Sequence, residues 1–221
     1  MWNKGRQKRP FNARKRFIEA KVDRDGRLAI ALPDDGDGVQ VFEARTGRHL
    51  FDAGPDTADT PKMEVGGNIV ACALTRGGLR WYDLKEKNVF ELPWVRTFAL
   101  SGSGTWLAVV TPQGQVRVLD PCTGKDAIPR PEPLADAPVA MVSFVNRRPD
   151  MLVLDAEGVL GVYDLTNSVK DNVAAVGRDI LDLNVDVDRL WGITGGVYAA
   201  VRFQDPETET ASVIYVDVRN G

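Results

Sequence analysis

Apolar residues in this chain come in short runs, not at helical spacing. Leu28-Ala29-Ile30-Ala31-Leu32, Trp106-Leu107-Ala108-Val109-Val110 and Met151-Leu152-Val153-Leu154 are unbroken and flanked by turn residues. That is the pattern of strands covered on both faces. Other runs alternate: in Gln115-Val116-Arg117-Val118 the polar positions share one side of a period-two pleat. Dense punctuation separates the runs, at Asp25-Gly26, Asp37-Gly38, Thr46-Gly47, Gly77-Gly78, Ser103-Gly104, Gln113-Gly114 and Thr123-Gly124. Such pairs predict tight hairpins, in which glycine takes the left-handed backbone region at little cost. No stretch of about 10–15 residues has convincing helical periodicity, which argues against strand–helix–strand architectures.

A longer period lies over this pattern. Runs ending in an acid recur at Val39-Gln40-Val41-Phe42-Glu43, Leu79-Arg80-Trp81-Tyr82-Asp83, Val116-Arg117-Val118-Leu119-Asp120 and Leu160-Gly161-Val162-Tyr163-Asp164. Their acids are 40, 37 and 44 residues apart. The fifth unit has two readings. Tyr215-Val216-Asp217 places its acid 53 residues after Asp164, whereas Val201-Arg202-Phe203-Gln204-Asp205 places it 41 residues after. Trp106 precedes Asp120 by 14 residues and Trp191 precedes Asp205 by the same 14, which favours Asp205. On that reading Thr210 to Val218 is the last strand of the fifth unit. Five units of about 41 residues then fill residues 17–221, with room for four short strands each, the repeat length of propeller blades. The predicted fold class is all-β, with residues 1–16 lying outside it as a tail.

The repeat units resemble a known family. Trp81-Tyr82-Asp83-Leu84 and Val162-Tyr163-Asp164-Leu165 look like the third-strand ending of WD40 repeats. Glu43-Ala44-Arg45-Thr46-Gly47 and Asp120-Pro121-Cys122-Thr123-Gly124-Lys125 resemble the Asp-x-x-Thr-Gly ending shared by WD40 and quinoprotein-type blades. The resemblance implies five WD40-like four-stranded repeats in a β-propeller or partial propeller. Two features depart from the family: no unit begins with Gly-His, and five units are fewer than its usual seven. A β-sandwich or an unclosed stack of sheets is the alternative architecture.

Charge adds a second division. The first 21 residues hold eight basic side chains and one acid, a balance of +7. The remaining 20 basic and 30 acidic residues set the rest near −10, against −3 for the whole chain. Halves of opposite sign suggest a binding arm on an acidic body. Lys4, Arg6, Lys8, Arg9, Arg14, Lys15 and Arg16, with Phe11 among them, are the candidate contacts for a polyanion or an acidic partner. Cations of this kind bind by releasing counterions, and Phe11 or Trp2 can stack on an unpaired base.

The body offers little catalytic chemistry. Glu43, Asp83, Asp120, Asp164 and Asp205 read as turn acids that accept backbone N–H bonds, not as a carboxylate cluster. Trp81, Trp106 and Trp191 read as packing residues. Asp182, Asn184, Asp186 and Asp188 alternate with apolar residues and read as a solvated strand face; an oxygen-ligand cation site is the sharper alternative. Cys72 sits in an apolar run and Cys122 in a turn, and one histidine, His49, provides no metal-ligand set. There is no G-x-S-x-G, HExxH or P-loop motif, and the glycine pairs lie between strands. No apolar run approaches the roughly 18 residues that span a bilayer, and no apolar stretch follows the basic start as in a secretory signal. The expectation is a non-catalytic protein-interaction scaffold without cofactor or metal, cytoplasmic unless imported into an organelle. Protein partners are expected, with self-association if the propeller is open. The alternatives are a nucleic-acid-associated factor acting through the basic arm, and a propeller hydrolase using Asp186 or Asp188.

Overall fold

The computed structural model describes residues 16–34, 38–53, 62–128, 137–145, 150–165, 176–182, 187–192, 198–204 and 210–217. It divides into two compact units, residues 1–93 and 94–221. Every regular element among the described residues is a β-strand.

The first unit contains two antiparallel four-stranded sheets. One runs β1 (Phe17–Val22), β2 (Leu28–Pro33), β3 (Val39–Glu43) and β4 (Arg48–Ala53); the other runs β5 (Met63–Gly66), β6 (Ile69–Ala73), β7 (Leu79–Asp83) and β8 (Asn88–Leu92). The second unit contains three sheets. These are β9 (Thr97–Leu100), β10 (Leu107–Val110) and β11 (Val116–Leu119); then β12 (Val139–Phe144), β13 (Asp150–Asp155), β14 (Val159–Asp164) and β15 (Val176–Asp182); then β16 (Val187–Gly192), β17 (Tyr198–Gln204) and β18 (Ala211–Asp217). In the third sheet the described residues after β11 add one bridge, Leu119 with Asp126.

Each sheet is a meander, so sequence neighbours pair and the second strand is covered on both edges and both faces. The unbroken apolar runs occupy that place: β10 is buried at all four residues and β13 at all six. Between the first two sheets, Ile30, Val39, Val41, Met63, Val70 and Cys72 form one core. In the second unit Val110, Val118, Phe144, Met151 and Val153 form another, and Leu152, Leu154 and Leu160 of the fourth sheet pack on Leu190, Ala199 and Val201 of the fifth.

The fifth sheet corrects the phase expected from sequence. β1, β12 and β16 each carry a register shift near their start, at Phe17/Glu19, Val139/Met141 and Val187/Arg189. β16 packs on β12 as β12 packs on β9, and this succession marks β16 as a first strand, β17 as the second and β18 as the third. The acid-terminated strand of the fifth unit is therefore β18, ending at Asp217, and β17 ends one residue before Asp205. Trp191 lies in a first strand, whereas Trp106 precedes a second strand, so their common 14-residue spacing is coincidental. β17 and β18 have seven residues each, against four to six in the second and third strands of the other sheets, and this helps carry the acid to the longer 53-residue spacing.

The acidic alternation is also divided. Asp182 ends β15 and Asp188 lies in β16 of the next sheet, so the four polar residues do not share one strand face. Asn184 and Asp186 lie outside the described residues.

Candidate interaction surface

Polar side chains at the strand ends are largely engaged by the turns. Asp23, Ser101, Thr111 and Asp155 each open a hairpin whose fourth residue is a glycine with positive φ: Gly26 at 67°, Gly104 at 72°, Gly114 at 79° and Gly158 at 91°. In each turn the glycine N–H donates to the first residue's carbonyl, at 3.0, 2.8, 2.9 and 3.3 Å. The side chain of the first residue then accepts N–H groups at or just before the start of the next strand. Asp23 Oδ1 accepts from Arg27 at 2.6 Å and Leu28 at 2.8 Å; Ser101 Oγ accepts from Thr105 at 3.1 Å and Trp106 at 3.0 Å. Thr111 Oγ1 accepts from Gln115 at 3.2 Å, and Asp155 Oδ1 from Val159 at 2.9 Å. These four caps were not singled out in the sequence, although their [Asp/Ser/Thr]-x-x-Gly spacing was there to find.

The turns after the third strands use the acids. Asp120 Oδ1 accepts from Cys122 N–H at 2.9 Å and its Oδ2 from Thr123 Oγ1 at 2.9 Å. Glu43 accepts from the Thr46 hydroxyl, and Asp83 Oδ1 from the N–H groups of Lys85 and Glu86 at 2.9 and 3.2 Å. Asp164 ends β14, and Asp205 lies outside the described residues. Gly47 and Gly124 close the first and third of these turns at φ 70° each, but in the second Lys87 stands at the same offset with φ 58°. A side chain in that region costs about 1–2 kcal/mol, partly offset by the extra freedom glycine has in the unfolded chain. Lys87→Gly is expected to raise stability by about 0.5–1 kcal/mol in urea unfolding, with no change in m-value.

The remaining candidate groups are dispersed. His49, on the outer strand β4, meets Asp52 Oδ1 through Nε2 at 2.8 Å and packs edge-on against Phe42, with ring centroids 5.5 Å apart. Trp81 is buried and stacks on Phe90 at 5.3 Å, and Trp106 packs against the third-sheet core. Burial pushes the Cys72 thiol up to about 12, with Arg80 opposing weakly; Cys122 is exposed. Burial also lowers the Lys62 ammonium, against the attraction of Glu64, which itself pairs with Lys21 at 3.2 Å. Among the described residues no three His, Cys, Asp or Glu side chains gather as a metal site. No described helix is long and apolar enough to cross a membrane.

Of the basic arm, Arg16 is described and exposed; Lys4, Arg6, Lys8, Arg9, Phe11, Arg14 and Lys15 lie outside the described residues. The most exposed large apolar side chain described is Trp94, 70% exposed at the start of the second unit. Its φ is 57°, and apart from Lys87 no other described non-glycine residue has positive φ. An indole held in solvent on a left-handed backbone is unfavourable on both counts. Nothing in the pattern of Leu92-Pro93-Trp94-Val95 singled it out.

No protein-family model matches the sequence, and no curated protein does. Solved structures match it. The β-propeller domain of Cps50 (Swd1) from Myceliophteria thermophila is 13% identical, with TM-score 0.65 over 91% of this chain and 70% of that one. The dihydro-heme d1 dehydrogenase NirN, in complex with DHE, is 21% identical, with TM-score 0.59 over 96% of this chain and 45% of that one. The computationally designed Ika8 protein is 15% identical, with TM-score 0.54 over 90% and 58%. This chain thus spans less than half of NirN and under two thirds of Ika8. At these identities the likeness is one of fold: the sheets are those of a β-propeller.

Proposed function

We propose that this chain is a non-catalytic interaction scaffold, a subunit of a larger assembly, with the basic N-terminal arm as a second contact. Trp94 carries the proposal: a tryptophan left in water at a strained backbone position suits the buried centre of a partner interface. The hairpin caps support it, because carboxylates and hydroxyls bonded to their own turns stiffen the loops that a propeller presents to partners. The +7 arm adds an electrostatic contact, and two weak contacts on one chain raise avidity through effective concentration. The charge separation also favours a second reading, in which the arm holds RNA or DNA.

The test is affinity purification of the full chain and of residues 17–221, each with and without nuclease. A partner recovered with both and resistant to nuclease is the expected result. Trp94→Ala should then weaken that partner about 30-fold, as a hot-spot loss near 2 kcal/mol, while thermal stability moves by less than about 0.5 kcal/mol. Recovery that needs residues 1–16 and collapses with nuclease or moderate salt selects the nucleic-acid reading. Partner binding unchanged in Trp94→Ala removes the indole as anchor.

A further inference from the structure

The first sheet is a meander, so its β1–β2 and β3–β4 turns leave it at the same end. The Ala44 N–H donates to the Arg27 carbonyl at 2.8 Å and ties the two turns side by side. Between them they carry four arginines, Arg24 and Arg27 in the first and Arg45 and Arg48 in the second, all exposed. The acids of the same turns are engaged locally. Asp23 is buried and its Oδ1 accepts two backbone N–H groups. Glu43 accepts from the Thr46 hydroxyl and lies 3.5 Å from Arg48, and Asp25 lies 3.3 Å from Arg27. Turn chemistry does not call for these cations. The third sheet uses the same two turns, Ser101 to Gly104 and Asp120 to Gly124, and over residues 101–106 and 120–125 they carry a single cation, Lys125. Average charge does not call for them either, since the chain beyond residue 21 holds 20 basic residues against 30 acidic ones.

We propose that this end of the first sheet binds the phosphate backbone of a polynucleotide. A guanidinium is a planar fork that meets phosphate oxygens two at a time. The spacing of the four groups argues for a chain of phosphates as the occupant. Arg27 precedes β2 and Arg48 begins β4, two strands away. Neighbouring strands lie about 4.8 Å apart, so these two backbones stand about 10 Å apart across the end of the sheet. Arg24 and Arg45 extend the row through the turns. A row of this width follows successive phosphates, whereas one phosphoryl group on a peptide would need the forks to converge. The pairs with Asp25 and Glu43 restrain Arg27 and Arg48, and Arg24 and Arg45 enter neither pair. Such contacts read charge and not bases, so binding is indifferent to sequence and falls steeply with salt. The site uses no residue of the basic arm and does not depend on Trp94.

Fluorescence anisotropy of a labelled oligothymidylate, titrated with the full chain across a salt series, tests this. Arg24→Gln combined with Arg45→Gln should weaken binding about tenfold and lower the slope of log affinity against log salt by about 2. Arg76→Gln combined with Arg96→Gln removes the same charge from exposed positions outside this end of the sheet and should leave both quantities close to wild type. Arg24→Lys with Arg45→Lys keeps the charge and loses the forks, so affinity should fall while the salt slope stays. If the glutamine pair at 24 and 45 does not fold, the lysine pair carries the test, and an unchanged affinity there overturns the proposal. Equal losses in the two glutamine pairs reduce the effect to net charge and overturn it. So does a wild type that ignores the oligonucleotide, or takes a phosphopeptide in its place. Binding that survives loss of Arg24 and Arg45 undiminished assigns the contact to the basic arm and overturns it equally.

Discussion

Replacing Gly114 with alanine is expected to destabilise the protein by about 3 kcal/mol or more, whereas the same change at Gly26 should cost about 1 kcal/mol. Both glycines close hairpins of the same design at positive φ, 79° and 67°, so the backbone penalty for a side chain is shared. Their surroundings differ. A Cβ at Gly26 meets nothing within 4 Å. At Gly114 it would lie 2.5 Å from Pro138 Cβ, 2.8 Å from Pro138 Cα and 2.9 Å from the nitrogen of Val139. Two of these are backbone atoms, and the Gly114 carbonyl accepts the Val139 N–H at 2.9 Å. The β10–β11 hairpin is therefore fastened to the start of β12, and relief of the clash would have to break that bond or move the strand. Overpacking adds about 1–3 kcal/mol to the left-handed cost. Urea unfolding of the two variants measures the difference. Equal losses would mean that the hairpin does not dock on β12.

The same glycines show how far the sequence could be read. Strand-and-turn alternation needs only local chemistry, and it located the acid-terminated strands of the first four units. The turns that close on Gly26, Gly47, Gly104, Gly114 and Gly124 were legible for the same reason. What Gly114 touches was not legible, because Pro138 is 24 residues away and the approach depends on how two sheets stack. The phase of the fifth unit failed through too regular a ruler. A repeat length constrains blades only loosely, since hairpins and strands absorb insertions at little energetic cost, and the packing of β16 against β12 that identifies a first strand leaves no composition signal. The apparent stripe from Asp182 to Asp188 failed likewise: alternation predicts a shared face only if the strand is continuous, and β15 and β16 belong to different sheets. Trp94 was invisible for another reason. Neither its left-handed backbone nor its exposure leaves a mark in the residue pattern around it.

Leu152→Ala should cost about 3–4 kcal/mol and lower the melting temperature by roughly 10 °C. Leu152 is fully buried in β13, the strand covered on every side, and its side chain lies in the cluster that joins the fourth sheet to Ala199 and Val201 of β17. Truncation leaves a cavity between two sheets whose backbones are each held by their own ladders, so collapse into the space is limited and the cost lies well above the transfer term. Leu152→Met, which keeps the volume, should lose less than about 1.5 kcal/mol. Val201→Ala removes the facing surface from the other sheet. If the sheets pack as described, the double variant should depart from additivity by about 0.5 kcal/mol or more, because both truncations open onto one shared space. Strict additivity would place the two side chains in separate environments. It would then mean that the fifth sheet folds against the fourth through other contacts in that cluster, with Leu190 and Val216 the next pair to truncate.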